Sequence, residues 1–424
     1  MKKITLTIAL TFLLYSCVLI KTPFDLIRMK NWPKKAQVVN SIKHDTIPVE
    51  IIGNWTVANL TVAGEQRRYI IDTGGAMVLD YSDVFNDRVI TRSKLYKLKY
   101  STNHLRYFLS TSKIDTIIIG NNIYTEVGAM IADFKLFSDL MTCEDIKGII
   151  GVNIMKKGIW SFNYGNNQVI VSPNIERFDL ENSHVFDLID VKGFENPIIR
   201  LNVEGKSLVT FIDTGNAGYS ILHNDKITNK FEGQMIKTHH ASNKLIGENL
   251  FVDKEVYSDS SSIMNLKTSD LGDDFTFSAM NAKITTRKAD ERIDMLVGYD
   301  FLKGFITTFD WENKKVYFQP VKNSSLASAK TSKNFNIDFH IHDKKLYVVK
   351  YLDDYFSKGE INIGDTVKAI NHIPIEDIVN QENFCEVVRG ERELYPKQDT
   401  TIIAVKNKLG EIRHLKMYDV QLFD

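Results

Sequence analysis

The tripeptide Asp-Thr-Gly occurs twice, each time closing an apolar run: Tyr69-Ile70-Ile71-Asp72-Thr73-Gly74 and Thr210-Phe211-Ile212-Asp213-Thr214-Gly215. One copy arises by chance in roughly one chain in ten of this length. Two copies in matched contexts are far rarer, and the repeat extends well beyond them. Ahead of the first, Trp55 to Val62 alternates and reaches Gly64-Glu65; ahead of the second, Ile198 to Val203 reaches Glu204-Gly205-Lys206. Both read as a strand, a tight turn and a returning strand that delivers the Asp. Downstream, Gly148-Ile149-Ile150-Gly151 matches Met295-Leu296-Val297-Gly298, and Phe162-Asn163-Tyr164-Gly165-Asn166 matches Phe309-Asp310-Trp311-Glu312-Asn313. The downstream blocks are offset by 147 residues and the aspartates by 141, so the second unit carries a net insertion of 6. A repeat this long is a duplicated lobe, not a solenoid, whose periods are roughly 20–50 residues.

Two aspartates placed symmetrically have a specific chemical use. An isolated Asp, with a pKa of about 3.9, is ionised in neutral water. Two carboxylates about 3 Å apart cannot both ionise cheaply, so the pair keeps one proton. One member then serves as general base on a water. The other, protonated, polarises the carbonyl under attack. The sequence does not distinguish which of Asp72 and Asp213 is the base.

Apolar-apolar-Asp-Thr-Gly followed by apolar-apolar-Gly, present in both halves in the same order, resembles the framework of pepsin-like and retropepsin-like aspartic peptidases. The resemblance covers residues 45 to about 322. It implies an all-β fold: a two-lobed, internally duplicated acid-protease β-barrel with one catalytic aspartate, Asp72 or Asp213, per lobe. It also implies that Thr73 and Thr214 bond across the lobe interface. Gly74 and Gly215 let the loops turn with their carboxylates exposed, and Gly151 and Gly298 let a strand pass close behind each loop. The chain departs from pepsin-like enzymes at the next position, where Gly75 and Asn216 replace a hydroxyl residue; retropepsins carry Ala there. Loss of that hydroxyl predicts a weaker push toward ionisation and a less acidic working range. The family also closes a hairpin flap over its substrate. Lys94 to Ser110, with Tyr96, Tyr100 and Tyr107, and Lys237 to Val256 are the corresponding stretches, although tyrosines also pack on sheet faces.

The remaining features bound the setting. Lys and Arg number 53, equal to Asp and Glu at 53, so no global charge draws the chain to nucleic acid. Only Cys17, Cys143 and Cys385 occur, which argues against a disulfide framework or a cysteine metal site. His239-His240 is a poor ligand pair, because neighbours on a strand point to opposite faces. HExxH and GxSxG are absent, and no metal or cofactor is expected. At the N-terminus, Lys2-Lys3 precedes an apolar run to Ser16, and Leu14-Tyr15-Ser16-Cys17 resembles a bacterial lipobox in which Cys17 is lipidated. An ordinary signal peptide or signal anchor is the alternative. Either way the folded part is expected outside the cytoplasm, in the bacterial cell envelope, and on the first reading membrane-anchored by lipid.

The expected organisation is a leader at 1–17, a tether or arm at 18–44, a first lobe at 45–173 and a connection at 174–196. A second lobe at 197–321 and a small-residue linker at 322–333 follow, and a separate module fills 334–424. In that module, Gly364-Asp365-Thr366-Val367-Lys368-Ala369-Ile370-Asn371-His372 resembles the Gly-Asp-x-Ile-x-x-Ile-Asn-Gly segment of bacterial PDZ domains, small β-rich α+β units. His372 stands where Gly is usual. Strands are expected at Phe335–Phe339 and Lys345–Tyr351, a helix over Glu376–Val388, and a closing hairpin from Thr400–Val405 and Glu411–Met417. An unrelated small β domain fits the same pattern. The expected partners are a peptide or unfolded protein substrate and, by the PDZ resemblance, a C-terminal peptide ligand. Two further readings stay open: a peptide-binding lipoprotein that holds peptides without cutting them, and a scaffold lipoprotein in which the C-terminal module is the working part.

Overall fold

The computed structural model describes residues 35–76, 78–80, 97–99, 106–132, 145–192, 194–218, 220–222, 235–241, 258–271, 275–281, 293–321, 334–342, 345–379 and 401–420. The leader with Cys17, the linker at 322–333, Cys143 and Cys385 lie outside them. Among the described residues no helix is long and apolar enough to cross a membrane.

The chain is mostly β, and its two halves fold alike. Each opens with a hairpin: Trp55–Val62 runs antiparallel to Glu65–Ile71, and Ile198–Val203 to Lys206–Ile212. The turns carry two successive left-handed residues, Ala63 (φ 50) with Gly64 (φ 88) and Glu204 (φ 48) with Gly205 (φ 72). That backbone matches the twist of a two-residue hairpin, and glycine adopts its second position without strain. The returning strand then lies parallel to the apolar-Gly strand. Tyr69 sits opposite Gly148 and Ile71 opposite Ile150; in the second half Thr210 sits opposite Met295 and Ile212 opposite Val297. Short strands following each Asp loop, Val78–Asp80 and Ser220–Leu222, cover the other edge of the apolar-Gly strand. Covered on both faces, these central strands read as continuous apolar runs instead of alternating ones. Tyr69, Ile70 and Ile71, like Met295, Leu296 and Val297, are buried. The two-lobed β architecture that the resemblance implies is therefore present.

The lobes share a floor. Ile159–Asn163 pairs antiparallel with Phe305–Asp310, with Ser161 opposite Thr308. Those two residues are 147 apart, the offset of the repeat, so a local two-fold axis passes between them; Thr308 Oγ1 donates to Ser161 Oγ at 2.8 Å. Phe162 and its repeat mate Phe309 pack edge to face at 5.8 Å. One hydrophobic core runs through both lobes, and Trp160, Tyr69, Phe162, Phe301, Phe305 and Phe309 are fully buried in it. Each such side chain contributes about 1.5–3 kcal/mol of burial free energy before chain entropy is charged against it. Outward from the central pair lie Gln168–Ser172 and Asp45–Ile52 on one side, and Lys315–Pro320 and His184–Asp187 on the other. His184–Asp187 falls inside the expected connection at 174–196. It occupies the place that Asp45–Ile52 takes in the first half, so part of that stretch is structural. Four residues with two polar ends gave it little periodicity to read.

Beyond the second lobe, Ile337, Leu346, Val348, Ile363, Val367, Ile403 and Leu415 build a smaller core of their own. Strands run at Ile337–His342, Lys345–Leu352, Thr366–Ile370, Thr401–Lys406 and Ile412–Met417, with a short helix at Ile375–Val379. The rest of the expected helix lies outside the described residues. Asn371 (φ 47) and His372 (φ 68) are both left-handed, a conformation that glycine adopts more readily than histidine. Asn371 Oδ1 accepts the Ile402 N–H at 2.8 Å and secures the turn.

This module is not detached from the second lobe. Lys345–Leu352 pairs antiparallel with Met235–Ala241, with Thr238 opposite Leu352 and His239 opposite Tyr351, so one sheet continues from lobe to module. Leu352, Ile263 and Val420 form a buried cluster at the join. The pairing satisfies backbone groups that an open sheet edge would expose. His239 and His240 fall on this strand; their side chains are not described. In the first lobe, Lys97–Lys99 and Arg106–Ile119 pair as a hairpin within the expected flap. Tyr96 and Tyr100, the Tyr107 side chain, and the second-lobe stretch beyond Ala241 lie outside the described residues.

Candidate active site

Each returning strand ends at its aspartate, and the loop that follows is held from behind. Asp72 N–H donates to Ile150 O at 3.0 Å and Asp213 N–H to Val297 O at 2.9 Å. One step on, the Val152 N–H donates to Gly75 O and the Tyr299 N–H to Asn216 O, each at 2.8 Å. Gly151 and Gly298 open the short helices that carry those donors. A Cβ on Gly298 would lie 2.7 Å from Asn216 Cγ, so only glycine lets the strand pass this closely.

The two loops are tied together by their threonines. Thr73 Oγ1 donates to Ile212 O at 2.9 Å and accepts the Thr214 N–H at 3.0 Å. Thr214 Oγ1 donates to Ile71 O at 3.1 Å and accepts the Thr73 N–H at 2.9 Å. Both hydroxyls are fully buried, and both are spent on the opposite lobe. Four bonds in a closed circuit fix the distance between the loops.

The circuit brings Asp72 and Asp213 side by side, with a hydrogen bond between their carboxyl groups. The approach is close enough that a Cβ on Gly74 would lie 2.6 Å from Asp213 Cγ, and one on Gly215 2.6 Å from Asp72 Oδ2. Glycine is needed at both places for that reason. The Gly74 N–H donates to Asp72 Oδ1 at 2.5 Å and the Gly215 N–H to Asp213 Oδ1 at 3.0 Å. Burial raises both carboxyl pKa values above the ordinary Asp value. At Asp213 the Asp72 charge adds to the rise, because it opposes ionisation of its neighbour. For Asp72, the hydrogen bond to Asp213 and the N–H groups of Gly74, Gly75 and Gly215 pull the other way. Such a pair retains one proton over a range where isolated aspartates have none.

Sequence reasoning passed over three residues of this site. Tyr164 is buried, with its ring edge-on to Tyr299 at 5.3 Å. Burial pushes its phenol well above the usual range, and Tyr299 and both aspartates add to the rise, so it stays neutral. Trp55 and Asn196 reach across the seam. Trp55 Nε1 donates to Gly215 O at 2.9 Å, and Asn196 Nδ2 donates to Thr73 O at 2.8 Å and Gly74 O at 2.9 Å. They hold the same place in the two repeats, but as unlike residue types they show no likeness when the halves are aligned.

Among the described residues no three His, Cys, Asp or Glu side chains lie close enough together to hold a metal ion. The flap tyrosines and Cys17 lie outside the description. No protein-family model and no curated protein matches the chain. Solved structures similar to it include basic 7S globulin from soybean, at 13% identity and a TM-score of 0.39, covering 66% of this chain and 95% of that one. They also include an aspartic proteinase from Irpex lacteus, at 11% identity and a TM-score of 0.41, covering 67% of this chain and 99% of that one.

Proposed function

We propose that the protein is an aspartic endopeptidase in which Asp72 and Asp213 activate a water for attack on a peptide carbonyl. The observation that carries this reading is the closed Thr73–Thr214 circuit, which holds two half-buried carboxyl groups against one another across the lobe seam. A purely structural role for two half-buried, mutually repelling acids is costly, since each loses solvation without gaining a counter-charge. Aspartate pairs of this kind work without a metal or cofactor. The substrate is an extended peptide or unfolded protein lying in the cleft between the lobes. The apolar leader ending in Cys17 supports a lipid-tethered protein of the bacterial cell envelope, and the Gly364–His372 segment supports a PDZ-like C-terminal module with a C-terminal peptide as its ligand.

The test is cleavage of a denatured protein mixture across pH 3–8 by the purified chain lacking its leader, beside Asp72→Asn and Asp213→Asn variants. Loss of cleavage in both variants supports the dyad. Equal cleavage by all three proteins would place the activity elsewhere. Peptide binding without turnover would replace the enzyme with a binding protein on the same fold.

A further inference from the structure

The cross-lobe bonds of Asn196 and Trp55 do more than join two surfaces. Both partners of Asn196 are carbonyl oxygens, so its amide nitrogen must be the atom that faces them. A peptide group acts as one dipole: a donor placed on its C=O strengthens its N–H as a donor in turn. The Thr73 carbonyl belongs to the same peptide group as the Gly74 N–H, and the Gly74 carbonyl to that of the Gly75 N–H. The Gly74 N–H is the amide that bonds the Asp72 carboxylate, and the Gly75 N–H closes the loop onto the Asp72 main-chain carbonyl at 3.3 Å. Asn196 therefore pulls on the amide that holds the carboxylate and on the one that shapes the loop around it. Across the seam, Trp55 loads the Gly215 carbonyl, whose peptide group carries the Asn216 N–H that donates to the Asp213 main-chain carbonyl at 3.2 Å. Asn54 Nδ2 donates to Ala217 O at 2.8 Å, two peptide groups further along the chain. The fold is two-fold symmetric here, but among the described bonds Asn196 loads the amide that reaches a carboxylate oxygen, Gly74 N–H to Asp72, whereas the carbonyl Trp55 loads is not in the peptide group of the Gly215 N–H that bonds Asp213 Oδ1.

We infer that Asn196 is a positioning residue that breaks the symmetry of the pair: by loading the Thr73 and Gly74 carbonyls it favours the ionised form of Asp72 and leaves the shared proton on Asp213. Asp72 then accepts the proton of the attacking water, and Asp213 hydrogen-bonds the substrate carbonyl. Trp55 is the weaker counterpart, acting on Asp213. This inference rests on the peptidase reading only for what the two acids do, not for where the proton sits.

The experiment reads the pair directly, by titrating the side-chain carboxyl carbons of 13C-labelled aspartate, and in parallel by the pH profile of kcat/KM. It compares the wild type with Asn196→Leu, Asn196→Ser and Trp55→Phe. An N–H that stabilises a carboxylate lowers its pKa, so losing the Asn196 bonds must raise the lower apparent pKa of the pair. With each bond of a chain strengthened by roughly 10–30%, the expected rise is about half a pH unit, which moves the acid limb of the rate profile upward. Asn196→Ser repeats the deletion without the bulk of Leu and guards against a misfolded variant. Trp55→Phe keeps the ring and removes the N–H; it should raise the upper apparent pKa and leave the lower one in place. Both Asn196 variants titrating like the wild type, or Trp55→Phe moving the lower value as far as they do, would overturn the inference. If the wild type cleaves nothing while the two-step titration and its dependence on Asn196 persist, the peptidase reading fails and this inference stands.

Discussion

Thr73 and Thr214 each donate a hydroxyl proton to the carbonyl immediately preceding the other lobe's aspartate, Ile212 O at 2.9 Å and Ile71 O at 3.1 Å. Each therefore grips the strand end that carries the opposing carboxyl. Thr73→Ala would leave the buried Thr214 N–H and the Ile212 carbonyl without this partner. An unsatisfied buried group costs about 1–3 kcal/mol, so the loss should be at least about 2 kcal/mol. Thr73→Ser keeps the hydroxyl and should cost well under half of that. Chemical denaturation of the three proteins measures the difference; equal losses for Ala and Ser would mean that packing of the methyl group, not the bond, matters.

Gly74→Ala and Gly215→Ala should separate the pair without unfolding the lobes, because each new Cβ points into the opposing carboxyl group. Displacing reacting groups by about 1 Å costs on the order of 100-fold in rate. The expected result is a fall in kcat of that size or more with an unchanged far-ultraviolet circular dichroism spectrum. Activity within about threefold of the wild type would show that the two loops have room to spare.

Asp213 binds its proton more tightly folded than unfolded, since burial and the Asp72 charge raise its pKa above 3.8. A carboxyl raised in this way stabilises the fold when protonated and loses that contribution as pH rises from 3.8 through the folded value. Asp213→Asn, which cannot ionise, should therefore unfold at a higher temperature than the wild type at pH 7, and the gap should narrow toward pH 4. Calorimetry at the two pH values decides it; a variant equally destabilised at both would mean that the ionised pair is not a liability.

Gly75 and Asn216 place no hydroxyl beside the carboxylates, and burial raises both acids. The rate maximum on an unfolded protein substrate should accordingly lie above about pH 4. A maximum below that value would show that other donors depress the pair.

Leu352 is fully buried against Ile263 and Val420, where the C-terminal module meets the second lobe. Leu352→Ala should cost about 2–5 kcal/mol and loosen the join first. Hydrogen exchange should then quicken along Met235–Ala241, while the amides of Asp72 and Asp213 stay protected. Uniform acceleration across both lobes would mean that module and lobes unfold as one unit.

The duplicated motifs were legible because each residue type answers a local demand. Glycine is required where a turn goes left-handed at Gly64 and Gly205, and again where a carboxyl group crowds the loop at Gly74 and Gly215. Apolar runs are required where strands such as Met295–Val297 are covered on both faces. The strand His184–Asp187 escaped notice because its pairing with Lys315–Pro320 is long-range and its own pattern is too short to register. The join between module and second lobe escaped for a related reason: edge pairing is made by backbone groups that every residue carries, so the side chains of Met235–Ala241 do not announce it.

The order of residues alone determined that this chain is two copies of one lobe, each ending a buried strand in an aspartate, because covalent spacing and local backbone preference act within a single segment. It could not say how those copies meet. That Thr73 and Thr214 interlock, that Asn196 and Trp55 load opposite loops unequally, and that the last module extends the second lobe's sheet were decided only on folding. Each depends on hydrogen bonds between groups more than a hundred residues apart, whose partners are chosen by the packed core and not by their neighbours in the chain.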